Sequence, residues 1–292
     1  MQLRKHFSQL NRGKIMWKID KPTVSARDSF TKSISRMHNG PLKVRLEAIE
    51  GLITSNSNSY EDSAQANTLH NFPRVENVAS VTAAEMATVY DQRFAAKKSP
   101  ARDIYDQLLS APTNACCPLC GHREATTIDH HLPKMEYPVL AVSPQNLVPA
   151  CMECNKLKGE YFPIASEEQL LHPYFDEIDI QRWLKAKVKE TNPTSIIFYV
   201  EKPDSWSDLL FKRIQNHFDK FKLNELYATQ AATELSGIRK RAQDLFNLGG
   251  PAQVKNHFLQ ESESRRAAAL NSWRTAAYEA IYQSSWYCSG NF

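Results

Sequence analysis

Two cysteine pairs with the same spacing, Cys117-x-x-Cys120 and Cys151-x-x-Cys154, constrain the middle of this chain more than any other feature. Each pair presents two thiolates from one turn, and two such turns supply the four sulfurs of one tetrahedral zinc ion. The stretch between the pairs, 121–150, is longer than the loop of a simple zinc ribbon, so it holds an element of its own. Cys116 stands beside Cys117 and competes with it as a ligand. Gly121 favours Cys117, because a Cys-Pro-Leu-Cys-Gly knuckle needs a tight turn after its second cysteine. Cys288 is isolated. Four thiolates saturate a zinc ion, so such a site is structural and any catalytic group lies elsewhere.

The rest of the chain is unexceptional in bulk. Of 292 residues, 42% are hydrophobic and 23% charged, with a net charge of +4 from 36 basic and 32 acidic side chains. That balance permits a nucleic-acid partner without demanding one. No apolar run approaches a membrane span. The first residues are basic without an apolar h-region, so no signal peptide is read and a cytoplasmic location is expected. In a reducing compartment, paired cysteines serve metal rather than disulfides.

Three regions are expected, with an α+β fold that is mainly helical. Residues 1–112 read as an N-terminal helical region. Phe30, Ile34 and Met37 share one helical face; Leu42, Leu46, Ile49 and Ile53 another; Met86, Val89, Tyr90 and Phe94 a third; Ile104 and Leu108 a fourth. The polar run 54–68 reads as a loop or a helix entrance. Residues 1–15 carry no stripe long enough to anchor them and are expected to be dispensable. Residues 113–165 hold the clustered cysteines and lose helical periodicity. Residues 166–292 open with a β-hairpin, KAKVKE (185–190) and SIIFYVEK (195–202) around a TNPT turn, and end in helices broken at Gly249-Gly250-Pro251. The C-terminal aromatics Trp273, Tyr278, Tyr282, Trp286 and Tyr287 are candidates for a docking surface or, equally, for a core cap.

The chemistry lies in CCPLCGHREATTIDHHLPKMEYPVLAVSPQNLVPACMECNKLKGE (116–160). ATTI favours a strand, which places Asp129 and His130 at a strand end. Asn155 directly follows the second cysteine pair, at the start of a short helix over 155–158. A zinc ion joining the two pairs would return Asn155 to the Asp129–His130 strand. A carboxylate and an amide oxygen converging on one point make a hard, partly filled site suited to Mg2+. A neutral imidazole beside it can take a proton from water.

This segment resembles the HNH endonuclease family, which has a ββα-metal fold. The resemblance rests on the paired cysteines, an Asp-His strand end with Pro133 three residues after the histidine, and Asn-Leu-Val-Pro-x-Cys-x-x-Cys-Asn-x-x-Lys-Gly. It implies that His130 is the general base, that Asp129 and Asn155 hold a catalytic Mg2+ or Mn2+, and that Asn146 steadies the loop. His131, where many members carry an apolar or aromatic residue, is a second candidate base. The run IDHHLPKMEYPVLAVSPQNLVPACMECNKLKG, followed by His172-Pro173-Tyr174-Phe175-Asp176, also resembles HNH proteins encoded beside ATPases in bacterial anti-phage systems of the Septu type. That narrower resemblance implies an antiviral role with an ATPase partner.

Lys134 and Lys158 could touch substrate phosphates; a solvated face is an equal alternative. The leading expectation is a metal-dependent endonuclease that hydrolyses phosphodiester bonds in DNA. The alternative is a zinc-stabilised nucleic-acid-binding or adaptor protein without catalysis. It explains the cysteines and leaves Asp129, His130 and Asn155 without a purpose.

Overall fold

A computed structural model describes residues 17–292. The expectations for residues 1–15 and for the absence of a signal peptide lie outside the described residues. The fold is α+β, mostly helical, with three two-stranded antiparallel sheets among the described residues. The described chain separates into two compact units, Trp17–Asp176 and Glu177–Phe292. No helix among the described residues is long and apolar enough to cross a membrane.

The first unit begins with α1 (Ala26–Ile34), α2 (Pro41–Ala48) and α3 (Glu50–Gln65). Ser25 caps α1 by accepting the amide of Asp28, and Pro41 opens α2 where a missing N–H costs nothing. The stripe Leu42–Ile53 therefore spans two helices rather than one. Most of the polar run 54–68, expected as a loop or a helix entrance, instead continues α3. Its buried face is Ile53, Ser57, Tyr60 and Ala64, a helical spacing in which two members are polar. They bury by pairing: Ser57 Oγ lies 2.8 Å from Ser143 Oγ, and Tyr60 Oη 2.9 Å from His172 Nε2.

A short hairpin of β1 (Asn77–Val78) and β2 (Val81–Thr82) leads into α4 (Ala83–Thr88), capped by a reciprocal Thr82–Glu85 box. The chain then widens into a π-helical turn, Val89–Phe94, in which the Tyr90 carbonyl accepts from Ala95 N–H at 2.8 Å. Helix α5 (Arg102–Ser110) packs Ile104 and Leu108 inward. These helices share one apolar core with Ile128, Leu132, Val139, Leu140 and Leu147 of the cysteine-bearing segment. Hydrogen bonds reinforce that union. Ser29 Oγ donates to Val142 O at 2.7 Å, and Tyr174 Oη donates to Leu147 O at 2.7 Å.

Strands β3 (Thr127–His130) and β4 (Leu147–Ala150) pair with Asp129 opposite Val148 and His130 opposite Leu147. Helix α6 (Met152–Lys158) follows at once, capped by Cys151. The order is strand, strand, helix, and it places Asn155 on the helix beside β3.

In the second unit, β5 (Leu184–Lys189) and β6 (Ser195–Val200) form the expected hairpin, with Leu184, Val188, Ile196 and Phe198 buried. Helices α7 (Asp208–Lys220), α8 (Leu223–Ala268), α9 (Trp273–Gln283) and α10 (Ser285–Cys288) complete it. The expected break falls inside α8. Gly250 takes φ +66°, a left-handed conformation that glycine adopts without strain. For three of the C-terminal aromatics the core-cap alternative holds and the docking-surface alternative does not. Trp273, Tyr278 and Tyr287 are buried within this unit, and Tyr278 donates its hydroxyl to Glu234 at 2.7 Å. Helical periodicity places these residues on a face without saying whether another helix covers it.

Candidate metal centre and active site

The sulfurs of Cys117, Cys120, Cys151 and Cys154 all lie within 4.8 Å of one another, and all four residues are buried. Zn–S bonds of ~2.3 Å in a tetrahedron put sulfurs about 3.8 Å apart, so the donor set fits a structural zinc. Cys116 is outside the cluster and only partly buried. The knuckle forms because Gly121, at φ +56°, returns its N–H to Cys117 O at 2.8 Å. The amides of Arg123 and Cys154 approach Cys120 Sγ and Cys151 Sγ at 3.4 and 3.3 Å. Such N–H donors favour the thiolate form that a metal requires.

Strand β3 and helix α6 bring three residues to one cleft of about 310 Å³, lined in part by Asp129, His130 and Asn155. Asn155 Nδ2 donates to Thr127 Oγ1 at 3.2 Å. Its amide oxygen, the atom a hard cation would use, takes no part in that bond. Asp129 is 7% exposed. Burial pushes its carboxyl up to about 6, against the opposing pull of the Lys158 ammonium.

His130 Nε2 lies 2.8 Å from the carbonyl oxygen of Ala141. A carbonyl only accepts, so Nε2 carries the hydrogen and Nδ1 keeps the lone pair while the ring is neutral. Burial holds the imidazole down at about 3. The neighbouring His131 is placed differently. Its ring packs on His172, centroids 4.2 Å apart, and it does not line the cleft. Asn146 is fully buried. Its Oδ1 accepts from Leu132 N at 2.8 Å and its Nδ2 donates to Leu132 O at 2.9 Å, which clamps the turn after the two histidines.

The two lysines differ from one another. Lys134 lines the cleft, with Nζ 2.6 Å from Asp91 Oδ1 and 4.6 Å from the centroid of the Tyr90 ring. Lys158 is 3% exposed. Its Nζ donates to His130 O at 2.6 Å and lies 3.5 Å from Asp129 Oδ2. The ammonium is therefore inside the module, and not on a face where a surface lysine would meet a phosphate.

Tyr90 is the cleft residue that sequence reasoning missed. It reads as one member of an apolar helical stripe, yet the π-helical turn sets its ring against His130, centroids 4.3 Å apart. π-helical turns recur at functional sites, but no spacing in this sequence announces one.

Residues 117–160 match the HNH endonuclease family. Over 166 residues the chain is 35% identical to "Protein ea31" of Escherichia phage lambda, a stretch that covers 55% of this chain and 55% of that protein. No solved structure matches. Residues 117–160, with β3, β4 and α6 gathered around four clustered cysteines, are an HNH endonuclease domain.

Proposed function

We propose that this protein is a metal-dependent endonuclease that hydrolyses phosphodiester bonds in DNA, with residues 113–165 as its nuclease module. The observation that carries the reading is the bond between His130 Nε2 and Ala141 O. It fixes the tautomer in which Nδ1 is unprotonated, in a ring that lines the cleft beside Asp129 and Asn155. His130 then takes the proton of the attacking water through Nδ1. Asp129 and Asn155 would hold a Mg2+ or Mn2+ ion, which would supply a Lewis acid for the charge that builds on the phosphate. Asn146 and Tyr90 keep the strand end and the His130 ring in place. The adaptor alternative leaves this arrangement without a purpose.

The test is incubation of the purified chain with supercoiled plasmid and with RNA in Mg2+, Mn2+ or EDTA. Metal-dependent nicking of the plasmid supports the reading. An inert protein with full zinc content contradicts it.

The proposal extends to a setting: the nuclease effector of a bacterial anti-phage complex whose partner is an ATPase. Support comes from the short nuclease segment within a 292-residue chain and from a net charge of only +4, which gives little unaided attraction for DNA. Co-purification from the native operon tests it. A protein that stays alone, and cuts equally well without its neighbour's product, refutes the partner.

A further inference from the structure

Lysine is among the residues least often buried, because removing an ammonium from water is costly unless it is paired. Lys158 is nonetheless 3% exposed. Helix α6 carries it one turn beyond Asn155, so the two share a side of the helix that packs on β3. There its Nζ meets His130 O at 2.6 Å, Gly159 O at 3.4 Å and Asp129 Oδ2 at 3.5 Å. The contact with His130 O ties α6 to β3, but a neutral donor could make that tie. The charge partly offsets the burial of the Asp129 carboxylate 3.5 Å away, and that same placement has a second effect.

The charges around the ligand pair define it. Asp129 contributes one negative charge, Asn155 none, and the Lys158 ammonium one positive charge. At the cleft wall, Lys134 is paired with Asp91, and Glu160 is exposed to solvent, where its charge is screened. The two ligands therefore offer a divalent cation almost no net negative charge. A phosphodiester brings the charge that the pair lacks.

Resting on the reading of Asp129 and Asn155 as metal ligands, we propose that Lys158 keeps the divalent-ion affinity of this pair low in the free protein, so that the ion is taken up together with a nucleic-acid phosphate. Ion and substrate then strengthen each other's binding by the same factor. A nuclease of this kind holds its catalytic ion weakly until a strand lies in the cleft.

The experiment measures Mn2+ binding to the zinc-loaded full chain at pH 8 without nucleic acid, by electron paramagnetic resonance of the free ion. The proteins are wild type, Lys158→Met, Lys158→Gln, Lys158→Arg and Asp129→Asn. Removing a buried charge this close to a ligand should tighten Mn2+ binding by about tenfold or more in the two neutral variants. Lys158→Arg should stay near wild type, and Asp129→Asn should lose the site. Neutral variants that keep their zinc and bind Mn2+ no more tightly than wild type overturn the inference and leave the ligand reading standing. Mn2+ binding that ignores Asp129→Asn overturns both. Should Lys158→Met fail to fold, Lys158→Gln decides, since it removes the charge and keeps a hydrogen-bond donor on the side chain. The coupling is also read without touching Lys158. His130→Ala protein should bind Mn2+ more tightly with a DNA duplex present, after subtracting the ions held by the duplex alone. Equal affinity with and without the duplex overturns the proposal.

Discussion

The rings of Tyr90 and His130 meet edge to face, with centroids 4.3 Å apart and planes at 66°. Tyr90 is buried, and its hydroxyl reaches Ile128 O only at 3.4 Å. The aromatic body therefore matters more than the hydroxyl. Tyr90→Phe should keep cleavage within about threefold of wild type, whereas Tyr90→Ala should destabilise the first unit by about 3–5 kcal/mol and free the His130 ring. Thermal denaturation and single-turnover cleavage of both variants check this. An inactive Tyr90→Phe would give the hydroxyl a part that the geometry does not assign it.

Zinc should prove structural. Cys154→Ser should release the ion and open 113–165 to proteolysis, because metal-binding free energy is folding free energy for so small a segment. Cys116→Ser should keep one zinc per chain, since Cys116 lies outside the cluster. Elemental analysis with limited proteolysis reads both. Equal zinc loss in the two variants would contradict the assignment.

Asn146 closes two hydrogen bonds on the backbone of Leu132. Asn146→Ala leaves two buried backbone groups unpaired, at about 1–3 kcal/mol each. Urea denaturation should record a loss of about 2–6 kcal/mol for the two together. A change below about 0.5 kcal/mol would show the clamp to be dispensable.

How much of this was legible beforehand depends on whether the information was local. The cysteine pairs and the β5–β6 hairpin are written as spacing and alternation, which one stretch of sequence carries. Asp129, His130 and Asn155 were singled out by motif, and the structure brings all three to one cleft. Helix α3 was misread because its buried face includes Ser57 and Tyr60, polar residues whose partners Ser143 and His172 lie far along the chain. The same limit left the burial of Trp273 undecided and hid the inward turn of Lys158. Tyr90 was read correctly as buried, but its contact with His130 depends on a π-helical turn that no periodicity encodes.

The tautomer of His130 can be observed directly. Burial holds the ring at about 3, below the usual histidine value, so it should stay neutral down to about pH 4. A pKa depressed in this way means that the folded state resists protonation while the unfolded state does not. Its contribution to stability is therefore lost as pH falls from about 6.5 towards 3. Nitrogen-15 NMR of histidine-labelled protein, assigned with His130→Gln, should show a hydrogen on Nε2 and none on Nδ1 at pH 7. The opposite tautomer would remove the proton acceptor from the proposed mechanism.

The central claim is that His130, and not its neighbour, is the base. The direct measurement is metal-dependent plasmid nicking by wild type, His130→Ala and His131→Ala, each verified for zinc content and thermal stability. The account predicts that His130→Ala loses about 10²–10⁴-fold in rate. It predicts that folded His131→Ala stays within about tenfold of wild type, because its ring packs on His172 away from the cleft. A folded His131→Ala that is inactive, beside a His130→Ala that still cuts, would contradict it.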